Sequence, residues 1–133
     1  MIQKKYFIID FDSTFVKGEG LEELARIALK NNPKKNEIYE KMKTITILGL
    51  EGKLSFEKSL SQRLKLFKGT KKNIKAVANL FKRKITDSIK HNKQFFKTYR
   101  NSIYIVSGGF KEFIIPVVKI FKIPSHHILT NTF

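Results

Sequence analysis

Cysteine is absent from the chain, which excludes disulfide staples and any metal site built on thiolates. No apolar run is long enough to cross a bilayer. The start, Met1-Ile2-Gln3-Lys4-Lys5, leads into a run too short for a signal peptide and interrupted by Asp10. The expectation is a cytoplasmic protein with no membrane partner. Acidic residues are scarce, 11 against 27 basic ones, which gives a net charge of +16 and a pI near 10.1. Such a balance ordinarily points to nucleic acid or an anionic surface. Arginine is scarce too: Arg26, Arg63, Arg83 and Arg100 stand among lysines scattered with Asn, Ile and Phe, the residue bias of an AT-rich coding sequence. No basic motif is interleaved with an aromatic platform. In the densest cluster, over 65–84, Lys68, Lys71, Lys72, Lys75, Lys82, Arg83 and Lys84 surround Ile74, Val77, Ala78, Leu80 and Phe81. That pattern is the solvated face of an amphipathic helix, and no specific nucleic-acid partner is expected. His91, His126 and His127 lack metal-ligand spacing.

What is present is a pair of carboxylates in a telling place. Asp10-Phe11-Asp12-Ser13-Thr14 follows directly on the apolar run Tyr6-Phe7-Ile8-Ile9. Carboxylates so close at the carboxyl end of a buried strand repel each other, and burial penalises both ionised forms. A divalent cation relieves that cost. With a non-repeating turn after Asp10, one carboxylate and one backbone carbonyl face a hard ion such as Mg2+, while the second carboxylate stays free for proton transfer. Asp, Ser and Thr also suit a plain strand-end turn and helix cap, so the motif alone leaves that reading open.

A second signal lies far downstream. Ile103-Tyr104-Ile105-Val106 is a short β-rich run that ends in Ser107-Gly108-Gly109-Phe110 before a helical segment. A hydroxyl and backbone amides at a helix N-terminus favour a phosphate, and the glycines allow its close approach. Alone, this too is only a tight turn. In a parallel α/β sheet, however, ligands gather at the carboxyl ends of strands, so the two motifs would face one crevice.

A length of 133 residues allows one core, and 12 phenylalanines can fill it. Residues 5–10 read as the first strand. A helix over 18–30 carries Leu21, Leu24, Ala25 and Ala28 on one stripe and ends before Pro33. Helices follow over 37–48, with Gly49 as a stop, and over 56–67, with Ser55 as N-cap. Gly69-Thr70 precedes a helix over 71–84. Residues 87–99 return to the core and lead into a strand over 102–106. A helix over 111–122 contains Pro116, which predicts a bend or a late start, and 127–129 form a last strand.

The motifs together resemble the haloacid dehalogenase superfamily of aspartate-nucleophile phosphatases and, within it, the phosphoserine phosphatase branch. The family's first motif, Asp-x-Asp-x-Thr, is matched by Asp10, Asp12 and Thr14, and its second by Ser107. The branch adds a Glu, matched by Glu19, and a cap segment similar to Glu51-Gly52-Lys53-Leu54-Ser55-Phe56-Glu57-Lys58-Ser59-Leu60, followed by Arg63. The resemblance implies an α/β fold, a three-layer Rossmann-type parallel sheet with an inserted helical cap. The core would comprise 1–16 and 86–133, and the cap 17–85.

It also implies Mg2+-dependent hydrolysis of a phosphomonoester, phosphoserine in serine biosynthesis. Asp10 would be the nucleophile that carries the phosphoryl group, and Asp12 the general acid and base. Asp10 and Asp12 would hold the metal, and Ser107 and Gly108 the phosphate oxygens. Glu19 would meet the substrate ammonium and Arg63 its carboxylate. Other readings stand beside these: an acid near a helix start suits the dipole anyway, Arg63 on an amphipathic helix suits a solvated charge, and Phe56 reads as a cap-core residue.

The family continues with a third motif carrying a Lys and a fourth carrying a metal-binding Asp. The sequence reaches Asn131-Thr132-Phe133 with neither, and after Ser107 its acidic residue is Glu112. The expectation is an N-terminal part, truncated before the later core strands and weakly active or inactive alone. Its partner would be a complementary C-terminal half, or a second copy through self-association. A different class remains open: a non-catalytic relic, or a binding module for an anionic ligand or nucleic acid. Because the family's first strand is central, residues 6–9 are expected to present an unpaired apolar edge.

Overall fold

The structure, a computed structural model, describes residues 3–133, so the expected start of the core at Met1-Ile2 lies outside the described residues. Three strands, β1 (Phe7–Ile9), β2 (Ile103–Phe110) and β3 (Ile128–Asn131), form a parallel sheet in that order. Phe7 pairs with Ile103 and Ile9 with Ile105, while Ile105 pairs with Ile128. Side chains alternate across a strand, and the consequence is a sheet with unlike faces. Ile103 and Ile105 are fully buried, whereas Ile8, Val106 and Leu129 are 74%, 42% and 53% exposed. Among the described residues β1 pairs on one side only. The strand expected to be buried is therefore a half-buried edge, open as the expected unpaired edge requires.

Among the described residues seven α-helices surround the sheet's packed face and its carboxyl end: α1 (Gly20–Ala28), α2 (Lys35–Leu50), α3 (Phe56–Leu64), α4 (Lys71–Lys82), α5 (Asp87–His91), α6 (Lys93–Tyr99) and α7 (Lys111–Val118). Local chemistry sets several of their ends. Ser55 caps α3 by accepting the Lys58 N–H at 3.2 Å. Thr70 caps α4 in a reciprocal box with Asn73.

Three expectations change. Gly49 lies inside α2 instead of ending it, and its lack of a side chain lets Ser59 of α3 pack close against it. The stop is Gly52, at φ +73, a conformation that glycine adopts freely. Ser107-Gly108-Gly109 is the extended end of β2 rather than a turn, with a register shift between Val106 and Phe110 against β3. Pro116 does not delay α7, which starts at Lys111; the helix ends at Val118 and gives way to a tighter turn over Lys119–Phe121.

The core is aromatic. Phe11, Phe15, Phe81 and Phe113 are fully buried, with ring centres 5.7 Å apart for Phe11 and Phe81 and 5.9 Å for Phe81 and Phe113. Edge-to-face pairs of this kind add to the hydrophobic gain of burial. They also tie α4 and α7 to the loop that follows β1, so the loop carrying the first motif rests on a rigid floor. Glu23 of α1 binds Arg26 at 2.6 Å and Lys84 at 3.2 Å. Burial pushes its carboxyl up, yet these two cations outweigh it and hold Glu23 below the usual carboxylate range. Nearby, the chain crosses itself: the Lys17 N–H donates to the Lys84 carbonyl at 2.7 Å and the Thr86 N–H to the Phe15 carbonyl at 3.0 Å.

Candidate active site

Asp10 leaves the carboxyl end of β1, and its Oδ1 accepts the Phe11 N–H at 2.7 Å. The chain then turns sharply, with Ser13 in the left-handed region at φ 53 and its N–H donating to the Gly18 carbonyl at 2.9 Å. The turn swings Asp12 towards the start of α1, where its Oδ1 accepts the Gly20 N–H at 2.9 Å. Burial pushes the Asp12 carboxyl up to about 6; the Gly20 hydrogen bond opposes this, and the nearby charges of Glu19, Asp10 and Glu22 reinforce it. A carboxyl poised there can give a proton and take it back near neutral pH.

The second motif approaches from β2. The Ser107 Oγ accepts the Gly109 N–H at 3.0 Å, and Asn131 of β3 donates to the Gly108 carbonyl at 2.8 Å. Both contacts hold the strand end in place. A Cβ at Gly108 would stand 2.6 Å from the Phe56 ring, so this glycine lets the exposed ring lie directly against the strand end.

The opposite wall comes from α1, α2 and α3. Glu19 precedes α1 without capping it by its side chain; Oε1 instead accepts the Ser13 hydroxyl at 2.6 Å. Arg63 of α3 is half-buried, its Nε donating to the Ser59 carbonyl at 3.3 Å and its Nη1 to the Thr46 hydroxyl at 3.4 Å. Burial lowers its pKa, against the opposing pull of Glu22 and then Glu19. Among the described residues Arg63 has no ion-pair partner, so the guanidinium is held by neutral acceptors and keeps unused donors. It is therefore not the solvated surface charge that its amphipathic helix also allowed.

All six expected site residues, Asp10, Asp12, Glu19, Arg63, Ser107 and Gly108, line one crevice of about 480 Å3. Gly20, Glu22, Thr46 and Phe56 join them in or beside it without having been singled out as site residues. Phe56, expected in a cap core, is 56% exposed and lines the crevice instead. Glu22 had a readable signal, being one helical turn beyond Glu19. Thr46 had none, because only the packing of α2 on α3 brings it to Arg63.

The donors suit a hard dication in kind. Asp10 offers a carboxylate and Asp12 a backbone carbonyl, oxygen ligands that Mg2+ accepts while keeping waters and substrate oxygens in its remaining positions. Among the described residues no cluster of three or more acidic, histidine or cysteine side chains forms a fuller cage. No described helix is long and apolar enough to cross a membrane.

No protein-family model matches the chain. Comparison with individual proteins is more informative. The phosphoserine phosphatase of Methanocaldococcus jannaschii is 36% identical over 109 residues, which is 81% of this chain and 47% of that protein. A phosphoserine phosphohydrolase-like protein from Francisella tularensis superposes with a TM-score of 0.78 at 34% identity, over 96% of this chain and 58% of its own. A phospho-aspartyl intermediate analogue of phosphoserine phosphatase superposes with a TM-score of 0.71 at 27% identity, over 98% of this chain and 57% of its own. The chain spans about half the length of the curated relatives it matches.

Proposed function

We propose, on the premise that this chain is a haloacid dehalogenase superfamily protein resembling the N-terminal part of phosphoserine phosphatase, that it serves Mg2+-dependent hydrolysis of a phosphomonoester, O-phosphoserine first. The observation that carries this reading is one crevice with Asp10, Asp12, Ser107 and Gly108 on one side and Glu19 and Arg63 on the other. In this reading 17–85 act as a cap over a core of 1–16 and 86–133, and the crevice lies where the two meet.

Asp10 attacks phosphorus and carries the phosphoryl group as an aspartyl phosphate, while the ester bond to the leaving oxygen breaks. Asp12, its carboxyl pushed up to about 6, protonates that oxygen. It then takes a proton from the water that cleaves the aspartyl phosphate, so its own proton count closes over one cycle. Ser107 and the Gly108 amide hold non-bridging oxygens. Glu19 receives the substrate ammonium and Arg63 its carboxylate, to which the guanidinium's unused donors are suited. Mg2+, held by the Asp10 carboxylate and the Asp12 carbonyl, would supply charge neutralisation for the phosphate that the nucleophile must approach.

The partner in this reading is a complementary half that adds a lysine and further carboxylates, with a second copy of the chain as the other candidate. Phosphate release from O-phosphoserine tests the proposal. The chain alone should turn over very slowly, addition of a polypeptide bearing the two later motifs should restore Mg2+-dependent release, and Asp10→Asn should abolish it. Robust release that survives Asp10→Asn would sink the assignment of the nucleophile.

A further inference from the structure

The charges lining the crevice run against the charge of the chain. Basic residues outnumber acidic ones by 27 to 11 over the whole sequence, yet the crevice is lined by Asp10, Asp12, Glu19 and Glu22 against the single cation Arg63. A compositional drift towards lysine cannot produce a carboxylate-lined cavity. Like charges gathered in one crevice repel one another, and a phosphate entering unaided would be repelled too.

Three of the four acids already have a task. Asp10 and Asp12 carry the chemistry and the metal donors, and Glu19 is fixed by the Ser13 hydroxyl at 2.6 Å. Glu22 is exposed and has no hydrogen-bond or ion-pair partner among the described residues, whereas the adjacent Glu23 turns away to Arg26 and Lys84. Together with Thr46, the residue that accepts the Arg63 guanidinium, Glu22 lines both the crevice and an adjoining cavity of about 420 Å3. The leaving-group end of the crevice thus holds a free carboxylate beside a guanidinium partly committed to Ser59 and Thr46.

We infer that Glu22 is a specificity-determining residue of this crevice: its carboxylate selects phosphomonoesters whose leaving group carries an ammonium and acts against those whose leaving group is purely anionic. The inference rests on the phosphomonoester reading above. Glu19 and Glu22 together give an incoming ammonium two carboxylates, and Glu22 repels a leaving group that offers Arg63 a carboxylate without an ammonium. The substrate class is therefore amino-alcohol phosphates and phosphorylated hydroxy amino acids, in preference to phosphorylated hydroxy acids.

A first-turn acid also favours α1 through the helix dipole, so stability does not separate the two roles and ligand discrimination does. Calorimetric titration of the slowly turning-over chain in Mg2+ would use O-phosphoserine, O-phosphoethanolamine and 3-phosphoglycerate as probes, with and without Glu22→Gln. Neutralising Glu22 should weaken both amine-bearing ligands by about fivefold, as expected for one partly exposed charge pair, and leave 3-phosphoglycerate unchanged or tighter. Glu22→Asp, which keeps the charge, should retain the original order. A parallel shift of all three ligands, or no shift, overturns the role of Glu22 while leaving the phosphomonoester reading intact. Failure of all three to bind the chain that carries Glu22, with the polypeptide bearing the two later motifs present, overturns that reading and this inference together.

Discussion

Gly20 donates its backbone N–H to the Asp12 carboxylate at 2.9 Å, and it can stand there only because it has no side chain. A Cβ at Gly20 would lie 2.3 Å from the Phe113 ring and 3.3 Å from Asp12 Oδ1. Phe113 is fully buried within the aromatic core, so the ring cannot step aside cheaply. The floor of the fold thus fixes the start of α1, and the start of α1 fixes the carboxyl proposed as acid and base.

Gly20→Ala should therefore cost stability through overpacking, by about 1–3 kcal/mol, and disturb Asp12 at the same time. Denaturant unfolding measures the first effect, and the pH dependence of unfolding measures the second. Phe113→Leu in the Gly20→Ala background should recover part of the loss. Wild-type stability of the single variant would mean that the contact is loose.

Asp12 makes a pH prediction whose sign is fixed by its environment. Its carboxyl is raised from 3.8 to about 6, chiefly by burial, so the folded state binds this proton more tightly than the unfolded chain does. The stabilisation is complete below about 3.8 and is lost as pH rises through about 6. Asp12→Asn, which keeps an acceptor for the Gly20 N–H, should then gain roughly 2–3 kcal/mol at pH 7.5 in chelator, with the gain vanishing near pH 4. An advantage that is constant with pH would point to a cause other than ionisation.

The lysine-rich α4 is organised as a solvated helix. Ile74, Val77, Ala78 and Phe81 are buried, while Lys71, Lys72 and Lys75 are exposed. DNA or RNA binding should be weak, indifferent to sequence and lost at moderate salt, because only counterion release drives it. Retention measured by filter binding at physiological salt, abolished by changing these three lysines to Glu, would overturn that view.

The open side of β1 is an exposed template for another strand. Tyr6 and Ile8 are 58% and 74% exposed, and Val106 and Leu129 continue the apolar face at 42% and 53%. The purified chain should self-associate or gain order from a complementary half, and Ile8→Lys should reduce its light scattering by blunting the edge. Hydrogen exchange offers the counter-test: a monomer with strongly protected amides over 6–10 would show that the edge is covered in another way.

Much of this molecule could be read from short stretches, because the physics that sets them acts over a few residues. The order of strands and helices, the cap at Ser55, and the two strand-end motifs at Asp10 and Ser107 all depend on local spacing. Helix ends are less legible: a glycine such as Gly49 reads as a stop in sequence, whereas its lack of a side chain serves the contact with Ser59. Resemblance to a family, not spacing, pointed to Glu19 and Arg63, and the shared crevice joins them to the motifs.

What only the tertiary structure decided are relationships between residues far apart in the chain. The Thr46 hydroxyl accepts from Arg63, the Phe56 ring rests on Gly108, Phe113 excludes a side chain at Gly20, and burial raises the Asp12 carboxyl. None leaves a local pattern, since a polar or aromatic residue looks the same in sequence whether it faces water or a neighbour. The sequence by itself determined which chemical groups the two strand ends present. Packing decided how closely they stand, how dry they are, and which charges they feel, because desolvation and Coulomb energy depend on distance through space and not along the chain.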